Sequence, residues 1–301
     1  MQESIYKFMK PGLVHFMAYP ETMGGEGPIL ETLAETAADD FFTAVEIPRY
    51  KDPEVRKKAR ALLESAGLTI AYAAQLAVLV PGLNPNSLDE AERTKAVDAL
   101  KEEINIAYEM GAVGLAFLSG KDPGDENREA AKEALVKTCK ELCAYAKDKG
   151  DLKIVIETFD RTIEKMALIG PSKDAAEVAE GVGEDNFGLM VDLSHLPLQG
   201  ETAEEALKNV APYLAHAHMG NCVMRDENHP AYGDKHPRFG IPGGENSVAE
   251  LREYLGVLLD IGFLGENLPI VSFEVRPMEG ETSAAVIANA KRTLKAAWAS
   301  L

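Results

Sequence analysis

Short apolar runs with the look of β-strands alternate with longer helical patterns from one end of this chain to the other. Few architectures accept that alternation, because a strand–helix–strand rhythm specifies a parallel sheet covered by helices. The runs are Leu13–Phe16, Ala44–Ile47, Thr69–Ala73, Val113–Leu118, Lys153–Glu157, Phe187–Asp192, Leu214–His218 and Ile270–Glu274. Eight such units are what a closed barrel needs. The fold class is therefore α/β, a single (β/α)8 TIM barrel spanning residues 1–301. The helices between the runs carry their own punctuation. Asp52-Pro53 opens a helix that runs to Ser65 and stops before Gly67, while Ser87 and Asp89 precede a long helix ending near Gly111. Glu281 to Ala299 is alanine-rich and reads as the last covering helix. No linker, low-complexity tract or close internal repeat divides the chain.

Charge narrows the partners. Forty-nine acidic residues against thirty-one basic ones give a formal charge of −18, a field that repels nucleic acid and anionic membranes and suits small neutral substrates. The first residues, MQESIYKFMKPGL, lack the apolar run of a secretory signal, and no stretch is long and apolar enough to span a bilayer. A cytoplasmic location is expected. Cys139 and Cys143 sit one helical turn apart and read as packing residues; Cys222 reads as a small buried thiol or part of a site lining.

Polar residues at strand ends are the main functional signal. A buried barrel strand should be apolar throughout, so an ionisable residue at its C-terminal tip needs a chemical reason. KIVIE ends in Glu157, GLMVD in Asp192, LAHAH in His218 and VSFE in Glu274. Isolated salt bridges are one explanation for such residues. Three carboxylates and an imidazole converging on the catalytic face would repel one another unless a cation compensated them, and four in register favour one divalent metal ion. Oxygen-rich ligation with one nitrogen suits manganese first, then magnesium or cobalt, with zinc also acceptable. Arg161, Arg225 and Arg276 lie just past strand tips and can clamp a hydroxyl or carboxylate, although for each taken singly a structural salt bridge ranks first. The segment from Gly220 to Asn246 has 27 residues, far above an ordinary connection, and is expected to fold over the site and deliver His236 to substrate. His229 and His216 read as structural, the latter taken to face away from His218.

The anchors IETFDR, VDLSH, HAHMGNCVMR and SFEVRP give nearly the whole chain a resemblance to the xylose isomerase-like barrels, in particular to the ketose 3-epimerase, hydroxypyruvate isomerase and inosose dehydratase group. The resemblance implies that Glu157, Asp192, His218 and Glu274 bind one metal and that Glu157 and Glu274 transfer the proton. It also implies that His195 of the Asp-x-x-His pattern is catalytic through substrate contact, and that Arg225 binds substrate. The implied activity is isomerisation or epimerisation of a keto sugar by proton abstraction beside a carbonyl, through a metal-stabilised enediolate. Two positions depart from the pattern. Ile163 stands where the epimerases carry a glutamate, with Glu164 next, and Asp234-x-His236 resembles the extra zinc ligands of endonuclease IV. The alternative is a lyase acting on an oxidised sugar conjugate, as in C-glycoside deglycosidases, which pair the barrel with a small second subunit. A nuclease like endonuclease IV and a non-catalytic carbohydrate-binding barrel rank below both. Expected partners are a small carbohydrate substrate and further copies of the same chain, with neither nucleic acid nor membrane.

Overall fold

The structure, a computed structural model, describes residue 1 and residues 3–301. Eight parallel strands close in sequence order: β1 (Lys10–Val14), β2 (Ala44–Ile47), β3 (Thr69–Ala73), β4 (Gly114–Leu118), β5 (Lys153–Glu157), β6 (Phe187–Asp192), β7 (Leu214–Gly220) and β8 (Ile270–Glu274). The main covering helices are α1 (Ile29–Ala38), α2 (Pro53–Ser65), α3 (Glu90–Met110), α4 (Arg128–Lys147), α5 (Ser172–Val182), α6 (Ala203–Val210), α7 (Val248–Asp260) and α8 (Ser283–Ala299). The expected fold is thus the observed one.

The helix ends follow from their residues. Asp52 accepts from the Glu54 amide at the start of α2, and Asp89 accepts from the Ala91 and Glu92 amides at the start of α3. At the far end of α3, Gly111 takes the left-handed conformation (φ 72°) that lets the chain turn off the helix.

The first strand is the one substantial shift from expectation. It was expected at Leu13–Phe16, but residues 10–13 pair with 270–273 and His15–Ala18 turns helical. Pro11 masks the strand in the sequence, since proline lacks the amide a ladder uses. β7 also runs two residues past its expected end at His218.

Side chains alternate between two environments, as the strand period of two requires. Val45, Ile47, Ile154, Ile156, Val271 and Phe273 point outward and join Leu100, Leu135 and Leu258 of the helices in the main core. Ala44, Ala71 and Ile270 form one small cluster inside the barrel, and Ala116, Val155 and Met190 another. Half of these interior positions are alanine, smaller than the branched residues usual there. At Gly12 the closeness is absolute, because a Cβ there would meet Ser272 Oγ at 2.2 Å. Bulk is thus held outside the barrel, and polar groups fill the inside of its C-terminal end. No helix among the described residues is long and apolar enough to cross a membrane.

Candidate functional site

Glu157, Asp192, His218 and Glu274 come from the ends of four adjacent strands, β5 to β8, and each offers one donor atom within 4.8 Å of all the others. His218 Nδ1 lies 2.7 Å from Glu274 Oε2, 3.7 Å from Asp192 Oδ2 and 3.8 Å from Glu157 Oε1. Three of the four share one arrangement: one polar atom is tied down and the other faces the centre. Gln75 Nε2 donates to Glu157 Oε2 at 2.8 Å, the Ser194 amide donates to Asp192 Oδ1 at 2.6 Å, and His218 Nε2 meets Glu46 Oε1 at 3.0 Å. The atoms left over, Glu157 Oε1, Asp192 Oδ2 and His218 Nδ1, are buried without a hydrogen-bond partner among the described residues. Orphaned buried acceptors are costly, about 1–3 kcal/mol each. Donors bound to one divalent ion at about 2.0–2.2 Å stand roughly 3–4 Å apart, which matches this spacing. The donor set fits a cation.

Four of the chain's six histidines crowd this end of the barrel. His216 does not face away from His218, as expected; both point inward, and both Nε2 atoms converge on Glu46 Oε1, at 2.7 and 3.0 Å. Residues two apart on a strand share a face, so the expectation had the period wrong. His229, by contrast, sits where a structural role puts it, its Nδ1 accepting from the Ala231 amide at 3.0 Å.

His195 is fully buried on Phe159, with Nδ1 at 2.8 Å from the Thr158 carbonyl and Nε2 at 3.0 Å from Asp234 Oδ1. Both partners only accept, so the ring must donate from both nitrogens and carry a positive charge. The electrostatics agree: burial opposes that charge, but Asp234 and then Asp192 and Glu157 lift the ring to about 10. Both nitrogens thus meet protein groups in this arrangement. His195 holds Asp234, which Lys165 Nζ also meets at 2.8 Å and His236 Nε2 at 2.7 Å.

Among the central carboxylates the environments diverge. Burial, then the neighbouring Glu274 charge, pushes Glu157 up to about 8. Asp192 is held below the usual carboxylate range: burial opposes its charge, but the nearby His218 ring and the charges of His195 and His236 outweigh it.

A pocket of about 200 Å3 opens beside the cluster, lined on one side by Glu157, His218, Glu274, His236, Lys235 and Arg276. Opposite stands an apolar wall of Val14, Phe16, Met17, Met23, Leu76 and Leu79. The long segment does reach the site: Asp234, Lys235 and His236 line the pocket, with His236 in the left-handed region at φ 51°. Its two ends are fastened together, since the Asn246 amide donates to Asn221 Oδ1 at 2.7 Å and the Asn246 side chain donates to the Leu193 and Gly220 carbonyls. Glu164 also lines the pocket and accepts from the Asp234 amide at 2.9 Å, despite its one-residue offset from the epimerase pattern.

Of the three arginines, only Arg276 lines this pocket. Arg161 is turned under its loop, bonded to the Leu168 carbonyl and paired with Asp174. Arg225 is 82% exposed and pairs with Glu245. Of the three, the structure therefore brings Arg276 to the pocket, while the partners of Arg161 and Arg225 lie outside it. Sequence reasoning missed Glu46 and Gln75. Glu46 carried a readable signal, an acid inside the apolar strand Ala44–Ile47; Gln75, in the short helix after β3, carried none.

Comparison with known proteins places this geometry. No curated protein matches the sequence. Among solved structures, a D-tagatose 3-epimerase-like protein superposes with a TM-score of 0.73 at 20% identity, covering 97% of this chain and 99% of that one. The IOLI protein with a bound zinc atom gives 0.73 at 18% identity, covering 96% and 98%. D-psicose 3-epimerase with D-tagatose, from Clostridium cellulolyticum H10, gives 0.67 at 18% identity, covering 96% and 97%. At such identities the likeness is one of fold. The profile of the xylose isomerase-like TIM barrels matches residues 34–296, and the chain belongs to that family.

Proposed function

We propose that this protein is a divalent-metal-dependent sugar isomerase or epimerase that removes a proton beside a carbonyl and returns it. The observation that carries the reading is the convergence of three unpartnered buried atoms, on Glu157, Asp192 and His218, beside Glu274 at the C-terminal mouth of the barrel. These four residues would hold the ion, manganese being favoured by three oxygens and one nitrogen and zinc by the bound atom of the IOLI structure. Bound there, the ion would supply Lewis acidity to a substrate carbonyl and ease the negative charge that develops as the neighbouring proton leaves.

The protein groups divide the remaining work. Glu157, fixed through Oε2 by Gln75, keeps Oε1 turned to the centre and is the proposed partner on one side of the reacting carbon. Glu274, from β8 and partly open to the pocket, is the proposed partner on the other. One takes the proton and the other delivers it to the neighbouring carbon or the opposite face. Arg276, Lys235 and His236 lie where substrate oxygens would need donors.

A second reading, a lyase acting on an oxidised sugar conjugate, draws support from the apolar wall of Phe16, Met17, Met23, Leu76 and Leu79. Such a wall offers few partners to hydroxyls and suits an apolar aglycone. One experiment serves both. Metal-loaded protein is incubated in deuterated water with free ketoses and, separately, with 3-oxo-glycosides, and deuterium at the acidic carbon is followed by NMR. Exchange in ketoses supports the isomerase reading, and exchange with aglycone release only in the conjugates supports the lyase. No exchange in either class, with metal bound, overturns the proposal.

A further inference from the structure

We infer that Glu46 is a positioning residue, fixing which nitrogen of His218 faces the carboxylate cluster; the inference rests on the metal reading above. His218 has two distinguishable nitrogens. Nε2 lies 3.0 Å from Glu46 Oε1, while Nδ1 faces Glu274, Asp192 and Glu157 at 2.7, 3.7 and 3.8 Å. Carboxylate oxygens, which accept and cannot donate, face both nitrogens; were Nδ1 to give up its hydrogen to hold an ion among Glu274, Asp192 and Glu157, the hydrogen that remains would be the one Glu46 accepts from Nε2. The lone pair is then on Nδ1, the atom aimed at the centre, where a metal ligand must present it. With the tautomer reversed, Nδ1 would point a hydrogen into the cluster and could not ligate.

What holds Glu46 itself is unusual for a barrel interior. It borders both the pocket and, on the other side, a cavity of about 270 Å3 that opens among the small side chains of Ala71 and Ala116. Tight packing is thus absent on two sides. Polar contacts replace it: His216 Nε2 meets the same oxygen, Oε1, at 2.7 Å. The LAHAH strand therefore reads as a unit. His216 steadies Glu46, Glu46 orients His218, and only His218 reaches the cluster. Both rings meet Glu46 at hydrogen-bond distance and by the same nitrogen, as donors sharing an acceptor do.

The test measures metal affinity rather than turnover. Wild-type protein and the variants Glu46→Gln and Glu46→Leu are stripped of metal and titrated with Zn2+ against a chromophoric chelator. Nitrogen-15 NMR of the zinc-loaded proteins reports which ring nitrogen of His218 carries hydrogen. Loss of an outer partner to a ligating histidine typically weakens metal binding by about 10- to 100-fold. Leu should fall toward the larger end and Gln, which keeps an acceptor oxygen, toward the smaller. The wild-type spectrum should show hydrogen on Nε2 and metal on Nδ1. A purely structural role would lower the urea midpoint and leave both readouts unmoved. Affinities within about twofold of wild type in folded variants overturn the inference alone, as does ligation through Nε2. Should Glu46→Leu fail to fold, Glu46→Gln and the tautomer signal decide. A wild-type protein that binds no zinc or manganese at all removes the metal reading, and the role of Glu46 with it.

Discussion

His15 should make the fold sensitive to mild acid. It sits just past β1, fully buried. Nε2 is 2.9 Å from Thr32 Oγ1, whose own hydrogen goes to the Pro28 carbonyl at 2.8 Å, so the ring donates there. The Tyr50 hydroxyl approaches Nδ1 at 3.5 Å. The ring is thus satisfied in its neutral form, and burial pushes its pKa down to about 3. A group whose folded pKa lies below its unfolded value of about 6.5 contributes stability above that value and loses it as pH falls toward the folded one. Between pH 7 and 5 the loss is about 2 kcal/mol, or roughly 3 °C in melting temperature for a chain of this length. His15→Gln keeps a donor for Thr32 without a titrating ring. Urea unfolding of both proteins at pH 7 and pH 5 isolates the effect, since distant titrating groups contribute equally to each. Wild type should lose about 2 kcal/mol more than the variant over that interval. Parallel losses would show that His15 protonates in the folded state without penalty and refute the reasoning.

The remaining expectations concern the pocket. His218→Ala should lower metal content and activity together; full metal by elemental analysis in a folded variant removes His218 from the ligand set. Glu157→Gln and Glu274→Gln should each abolish deuterium exchange more completely than substrate binding, because the amide keeps shape and loses basicity; near-normal exchange in either removes that residue from proton transfer. Arg276→Leu should raise KM at least several-fold with metal content intact, whereas Arg225→Ala should leave kcat/KM within about twofold, as befits an arginine turned to solvent outside the pocket. The reverse order would mean that Arg225 swings inward with substrate.

The fold was legible because strand and helix periods alternate without interruption, and the cluster because strand tips are few. An acid or histidine that ends an apolar run has little choice about where it points. The same reasoning, applied to the interior of Ala44–Ile47, would have found Glu46, for an acid within a buried strand needs a partner wherever it stands. The error at His216 was one of parity: residues 216 and 218 are two apart and share a face. The arginines were not legible for a different reason. Arg161 and Arg225 follow strands but belong to loops, and a loop's conformation sends a long side chain to whichever acid the surroundings offer, here Asp174 and Glu245. Tips of strands fix direction; the loops beyond them do not.

The way the histidines are shared out bears on the metal question more than the carboxylates do. A crowded acidic site can be neutralised by protons on imidazoles or by a cation, and this barrel has four histidines close enough to supply the first. Yet His195 is committed to Asp234 and the Thr158 carbonyl, His236 Nε2 to Asp234, and His216 to Glu46. Asp234 is further matched by Lys165. The acids outside the central group are thus each served by their own donors. Of the rings, His218 is the one placed within the group of Glu157, Asp192 and Glu274, with its Nε2 already given to Glu46; His195 approaches Glu157 at 3.6 Å and His236 approaches Glu274 and Asp192 at 3.5 and 3.8 Å, each held more closely by Asp234. A proton that neutralised this group by way of His218 would occupy Nδ1, the atom aimed at its centre, whereas the same atom without a hydrogen can join the carboxylate oxygens in holding an ion. What this division leaves over is a position bordered by three carboxylate oxygens and one imidazole nitrogen, the donor set proposed above to hold a divalent cation.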